Sequence, residues 1–138
     1  LKRQLLPRAT LATPNLFEAQ LLAGRTITSL DDAHDAARAI ADLGPRAVLV
    51  KGGHLDGSAT DVLFLDGDFH LFPSPRLDTP HTHGTGCTYS AAITACLALG
   101  LALPQAVARA KRFIHAAIKE NPGLGGGQGP VNHFVSAV

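Results

Sequence analysis

Methionine is missing from all 138 residues. A complete translation product begins with one, and its removal normally needs a small second residue, which Leu1 is not. The chain is therefore expected to be part of a longer protein. Cysteine is scarce: Cys87 and Cys96 are the only two, too few for a disulfide framework. Both fall in a small-residue segment that reads as helix, so they lie about 13.5 Å apart along its axis, out of bridging range within it. Reduced thiols and a cytoplasmic setting are the simpler expectation. No run of about 18 apolar residues exists, which argues against a membrane-spanning helix. The opening "LKRQLLPRAT" lacks the apolar run of a signal peptide. The formal net charge is only +1, so no strong field favours nucleic acid or an anionic membrane.

The residues that are present describe a globular chain. Hydrophobic residues make up 46% and charged residues 17%, a balance that supports a packed core. The length fits one domain, 1–138, of a size that buries roughly 68–70% of the surface of its unfolded chain.

Strand-like and helix-like pieces alternate. "ATLAT" at 9–13 is short and apolar. "PNLFEAQLLAG" follows with helical spacing at Leu16, Ala19, Leu22 and Ala23, and Gly24 is a natural stop. A second helix is expected from about Ser29 to Leu43, with Ala33, Ala36, Ala37, Ile40 and Leu43 on one stripe. Ser29 precedes Asp32 by three positions, a cap signal, and Gly44-Pro45 ends the helix. "AVLVK" at 47–51 is a continuous apolar run, which reads as a buried parallel strand. "DVLFL" and "FHLF" flank Asp66-Gly67-Asp68, a strong hairpin signal. Two helices are expected at about 86–102 and 104–120, with Pro104 in the first turn of the latter. The glycine-rich tail reads as loop. Strands separated by helices predict an α/β fold: three-layer α-β-α, with a mainly parallel sheet and one antiparallel hairpin. Ligands of such sheets bind at the carboxyl ends of strands, where Asn15 to Glu18, Lys51-Gly52-Gly53 and the 81–87 loop all fall. Convergence of the three is a geometric expectation.

The most specific stretch is "HTHGTGCTYS" at 81–90. Gly84 and Gly86 permit positive φ and let backbone approach a ligand closely. Successive N–H groups opening a helix make an anion site; a ligand-free strand-to-helix turn uses the same residues. A helix N-terminus favours thiolate, so Cys87 reads as a general base, as a nucleophile partnered by His81 or His83, or as a small apolar filler. Cys96 reads as filler. Zinc finds the right ligand types in His81, His83, Cys87 and Cys96 but no Cys-x-x-Cys or His-Glu-x-x-His pair. Lys51 ends an apolar strand, where an ammonium can meet a phosphate or simply reach solvent. Asn15 and Glu18 fit a capping box, and also a carboxylate holding Mg²⁺ through water. Lys111 falls on the inward stripe of Val107, Ala110, Ile114 and Ile118, so it either snorkels past the core edge or faces an anionic ligand.

"TPNLFEAQLLAG", "VLVKGGH", "THGTGCTYSAAI" and "GPVNHF" occur in that order. Together they resemble the C-terminal half of the hydroxymethylpyrimidine phosphate kinases of thiamine biosynthesis, members of the ribokinase-like kinases. The resemblance covers essentially the whole chain. It implies an ATP-dependent phosphotransferase with Mg²⁺ that acts on hydroxymethylpyrimidine or its phosphate. Cys87 would be the general base, at a position where many ribokinase-like relatives carry aspartate. The backbone N–H groups of Gly84, Thr85, Gly86 and Cys87 would form the anion hole for the transferring phosphoryl group. Lys51 would contact ATP phosphates, Lys111 would lie near the nucleotide, and Glu18 with Asn15 would position Mg²⁺ through water. A homodimer is compatible with the family. His81 and Gln128 depart from the family pattern, where Asn and His are more usual. Family chains are about twice as long, and their N-terminal half carries most of the pyrimidine pocket, so these 138 residues alone are expected to be weakly active or inactive. Three alternatives stay open: a pyridoxal kinase, a non-catalytic pyrimidine- or nucleotide-binding module, and a cysteine hydrolase using Cys87 and His83.

Overall fold

The computed structural model describes residues 1–52 and 59–136. They belong to two compact units, Leu1–Arg76 and Leu77–Val138. The first contains α1 (Leu16–Ala23), α2 (Leu30–Ala41), β1 (Ala47–Val50), β2 (Asp61–Leu65) and β3 (Asp68–Phe72). The second contains α3 (Thr85–Ala98) and α4 (Leu103–Lys119). The fold is α/β, as its sequence pattern predicts.

Both helices of the first unit start from capping boxes. Asn15 caps α1, which ends at Gly24 in the left-handed conformation (φ 69°). Ser29 caps α2, and its Oγ accepts the Asp32 N–H at 3.1 Å. Asp32 Oδ2 in return accepts from the N–H groups of Thr28 and Ser29 and the Thr28 hydroxyl, at 2.9, 3.0 and 2.9 Å. These donors, Thr28's backbone foremost, stabilise the carboxylate and hold its pKa at about 2, below the ordinary 3.8. Four of the five residues of the expected α2 stripe are buried, and Ala33, Ala36, Ala37 and Ile40 share one apolar cluster with Ala19, Ile27, Val48, Val50 and Val62; Leu43 lies past the helix end and is half-buried. Three alanines on that face let the helix backbone sit close to the sheet.

The sheet order is β1-β2-β3, with Val48 opposite Phe64 and Leu65 opposite Asp68. Asp66 and Gly67 both have positive φ (51° and 93°), which is the two-residue type I′ hairpin that Asp-Gly predicts. All three named strands pair antiparallel, so the mainly parallel sheet expected from sequence is not found among the named strands of the described residues. The apolar run of β1 reported burial, not direction. β1 is buried because β2 lies on one side and residues 9–15 on the other. A strand covered on both faces is apolar whichever way its neighbours run, so the run carries no signal for direction. Parallel pairing does occur beside β1, as the isolated bridges Ala12 to Val48 and Asn15 to Lys51.

In the second unit, α3 and α4 pack on each other. Tyr89, Ile93 and Cys96 of α3 are buried, as are Ala106, Val107, Ala110, Ile114 and Ala117 of α4. Pro104 lies in α4's first turn, and Ile118 is half-buried. No described helix is long and apolar enough to cross a membrane.

Candidate functional site

The turn before α3 is built by glycine and by short-range hydrogen bonds. Gly84 takes the N-cap position with φ 82° and ψ −2°. A β-carbon there would meet only Thr88 Oγ1, at 3.9 Å, so the glycine is required by backbone conformation and not by crowding. Thr82 O accepts the Thr85 hydroxyl at 2.7 Å and the Thr85 N–H at 3.2 Å. The first intrahelical bond runs from the Thr88 N–H to Gly84 O at 2.9 Å. Helix geometry then leaves the N–H groups of Gly86 and Cys87 without intrahelical acceptors. Of the four residues expected to donate to an anion, Thr85 has its N–H engaged inside the turn. Gly86 and Cys87 are the donors aimed out of the helix end. The positive end of the helix dipole adds to them.

Cys87 is an exposed free thiol on this first turn, whereas Cys96 is free and buried. That separates the two cysteines as the sequence suggested. Among the described residues no group of three His, Cys, Asp or Glu could hold a metal ion. His81 Nδ1 accepts the Gly129 N–H at 3.2 Å. Among the described residues no hydrogen bond joins Cys87 to His81 or His83, so a thiol–imidazole pair is not formed. Lys111 is half-buried, with Nζ 5.9 Å from the centre of the Tyr89 ring. The ring face is one neighbour of this cation, of a kind worth about 0.5–1 kcal/mol.

The first unit gathers Asn15, Glu18 and Lys51. Asn15 Oδ1 accepts the Glu18 N–H and Glu18 Oε2 accepts the Asn15 N–H, both at 2.8 Å. The capping reading is therefore fulfilled. Both residues are exposed, and Glu18 Oε1 takes no part in the box. Lys51 pairs with Asn15 in a parallel bridge and donates its N–H to Pro14 O at 2.9 Å. Two of the three strand-end features thus meet in one unit, while the 81–87 turn belongs to the other. Gly53 lies outside the described residues. Gly52 is held by Asp61, whose Oδ1 accepts its N–H at 2.9 Å. A β-carbon on Gly52 would overlap Thr60 O, so glycine is needed there for close approach. Asp61 is a buried carboxylate, 2% exposed, that the sequence reading missed. Its signal was an aspartate opening the apolar strand "DVLFL".

The sequence model of phosphomethylpyrimidine kinases matches residues 1–132. The chain belongs to the phosphomethylpyrimidine kinase family. It is 50% identical over 138 residues to a thiamine biosynthesis bifunctional protein of Geobacter sulfurreducens, a match covering 99% of this chain and 28% of that one. It is 45% identical over 136 residues to the hydroxymethylpyrimidine/phosphomethylpyrimidine kinase of Bacillus subtilis, covering 97% and 50%. Among solved structures it is similar to the ADP complex of Bacillus subtilis pyridoxal kinase, with a TM-score of 0.91, 46% identity, and 96% and 53% of the two chains covered. It is also similar to the phosphomethylpyrimidine kinase of Clostridium difficile, with a TM-score of 0.71, 40% identity, and 86% and 47% covered. The chain spans about half the length of the kinases of this family that it matches.

Proposed function

We propose that residues 1–138 supply the nucleotide-binding half of an ATP-dependent kinase that phosphorylates 4-amino-5-hydroxymethyl-2-methylpyrimidine or its phosphate in thiamine biosynthesis. The observation that carries this reading is the α3 turn. It presents two outward backbone N–H groups and an exposed thiol together, and a phosphoryl transfer needs little else from a protein besides positioning and charge stabilisation. Family membership supports the same chemistry, and ADP and AMP-PCP complexes of related pyridoxal kinases support a nucleotide.

In this reading the Cys87 thiolate accepts the proton of the substrate's hydroxymethyl or phosphate oxygen. That oxygen attacks the γ-phosphorus, and the bond to the bridging oxygen of ADP breaks. The Gly86 and Cys87 N–H groups meet the negative charge on the transferring group. Gly84 and Thr85 shape the turn that aims them. Lys51 and Lys111 serve the nucleotide, with Asn15 beside Lys51. Mg²⁺ fits this chain only through water: Glu18 is exposed and has one oxygen outside its cap, and no described three-residue cluster could enclose the ion. When bound, Mg²⁺ neutralises phosphate charge. The three-layer, mainly parallel sheet is proposed for the complete kinase fold, and the parallel bridges at Ala12 and Asn15 support it. A homodimer and a cytoplasmic setting belong to the same reading.

One observation favours a second substrate. The pyridoxal kinases of Bacillus subtilis and Staphylococcus aureus match with TM-scores of 0.91 and 0.90, above the 0.71 of the Clostridium difficile phosphomethylpyrimidine kinase. Phosphorylation with γ-labelled ATP, comparing hydroxymethylpyrimidine, its phosphate and pyridoxal in the protein that carries this chain, separates the two. Label on the pyrimidines at the higher kcat/KM is expected. Preference for pyridoxal would transfer the assignment, and label on neither would end the kinase reading.

A further inference from the structure

The glycine-rich tail is not a loose end: residues 129–133 touch the functional turn from several directions. Gly129 O accepts the His83 N–H at 3.1 Å, and the Gly129 N–H donates to His81 Nδ1 at 3.2 Å. His83 and Pro130 form a parallel bridge. Val131 is 2% exposed, and the Asn132 N–H donates to Ala117 O near the end of α4 at 2.9 Å. His133 Nε2 then lies 3.0 Å from Thr88 Oγ1, in hydrogen-bond contact with the residue that follows Cys87. A β-carbon on Gly129 would overlap His81 Nδ1 and crowd Leu124 O at 2.6 Å. The segment thus grips the chain before the turn, the end of α4 and the first turn of α3.

We propose that residues 129–133 form a clamp on the α3 turn, and that His133 is a positioning residue acting through Thr88. The turn needs such a device. Its N-cap is a glycine with no side-chain cap bond, so no side chain at that position ties down the first-turn N–H groups. Gly86 and Cys87 can serve a developing charge only while the first turn holds its geometry, since small displacements of donors cost catalysis heavily. Holding that turn from outside leaves its own N–H groups open for the anion, which a side-chain cap would occupy. His81, unusual for the family pattern, has a role here as the acceptor for Gly129.

The catalytic consequence rests on the kinase reading above, but the clamp itself does not. Amide hydrogen exchange of this chain reads the clamp without turnover. His133→Ala should speed exchange of the Thr88 amide about fivefold, the scale of one lost hydrogen bond, while Ile93 and Cys96 keep wild-type rates. His133→Gln, which returns a polar atom at similar reach, should restore protection. Unchanged exchange at Thr88, or equal loosening along all of α3, would overturn the clamp. In the protein that carries this chain, His133→Ala should lower kcat about fivefold with KM for ATP within about twofold, again rescued by Gln. Loosened exchange with unchanged kcat would overturn the positioning role alone. Full activity in Cys87→Ala would instead overturn the base assignment, and the exchange result would stand.

Discussion

Replacing Gly84 by alanine tests how the α3 turn works. The φ of 82° at Gly84 is in the left-handed region, which costs an alanine about 1–2 kcal/mol relative to glycine. Crowding adds nothing, because the new β-carbon would have Thr88 Oγ1 at 3.9 Å as its neighbour. The whole effect should therefore be backbone strain. Gly84→Ala is expected to lose about 1–2 kcal/mol in urea unfolding with an unchanged m-value. Gly84→Asn should lose distinctly less, because asparagine enters this region more readily. ADP titrated calorimetrically into the same variants should follow the same order, since strain relieved by rotating the turn moves the Gly86 and Cys87 N–H groups. Equal losses for Ala and Asn would show that strain is not the cause. No loss for Ala would refute the conformational argument, and a loss above about 4 kcal/mol would mean a clash that the geometry does not contain.

Gly52→Ala makes the opposite case, since its β-carbon overlaps the Thr60 carbonyl; a loss of about 2–4 kcal/mol is expected from the backbone shift and the weakened bond to buried Asp61, and stability within 0.5 kcal/mol of wild type would contradict it. Asp32 should give acid sensitivity. Its folded pKa of about 2 lies below the ordinary 3.8, so its contribution is complete above the unfolded value and is lost as pH falls from about 5 towards 2. Thermal melts of Asp32→Asn against pH should show a shallower acid limb than wild type, and parallel limbs would refute the cap's role.

Elements fixed by neighbouring residues were readable from sequence. Asn15 with Glu18, Ser29 with Asp32, and Asp66-Gly67 are local devices, and each appears where its spacing put it. Strand direction was not readable, because β1 is apolar whichever way its neighbours run. The site divides in the same manner. Gly84 and Cys87 announce a glycine turn with a thiol. Nothing local reveals that Tyr89 lies beneath Lys111, or that His133 reaches Thr88 across 45 positions of sequence. The Asp61 carboxylate escaped for the same reason, since its partner Gly52 lies in another strand-end segment.

In the proposed reaction the α3 turn binds phosphate while Cys87 takes the proton. Steady-state kinetics of Cys87→Ala, in the protein that carries this chain, tests it most directly. The expected fall in kcat is about 10²–10⁴-fold, the usual contribution of a general base. KM for ATP should change by no more than about twofold, because the Gly86 and Cys87 N–H groups belong to the backbone and survive the substitution. A kcat within about threefold of wild type would contradict that role of Cys87.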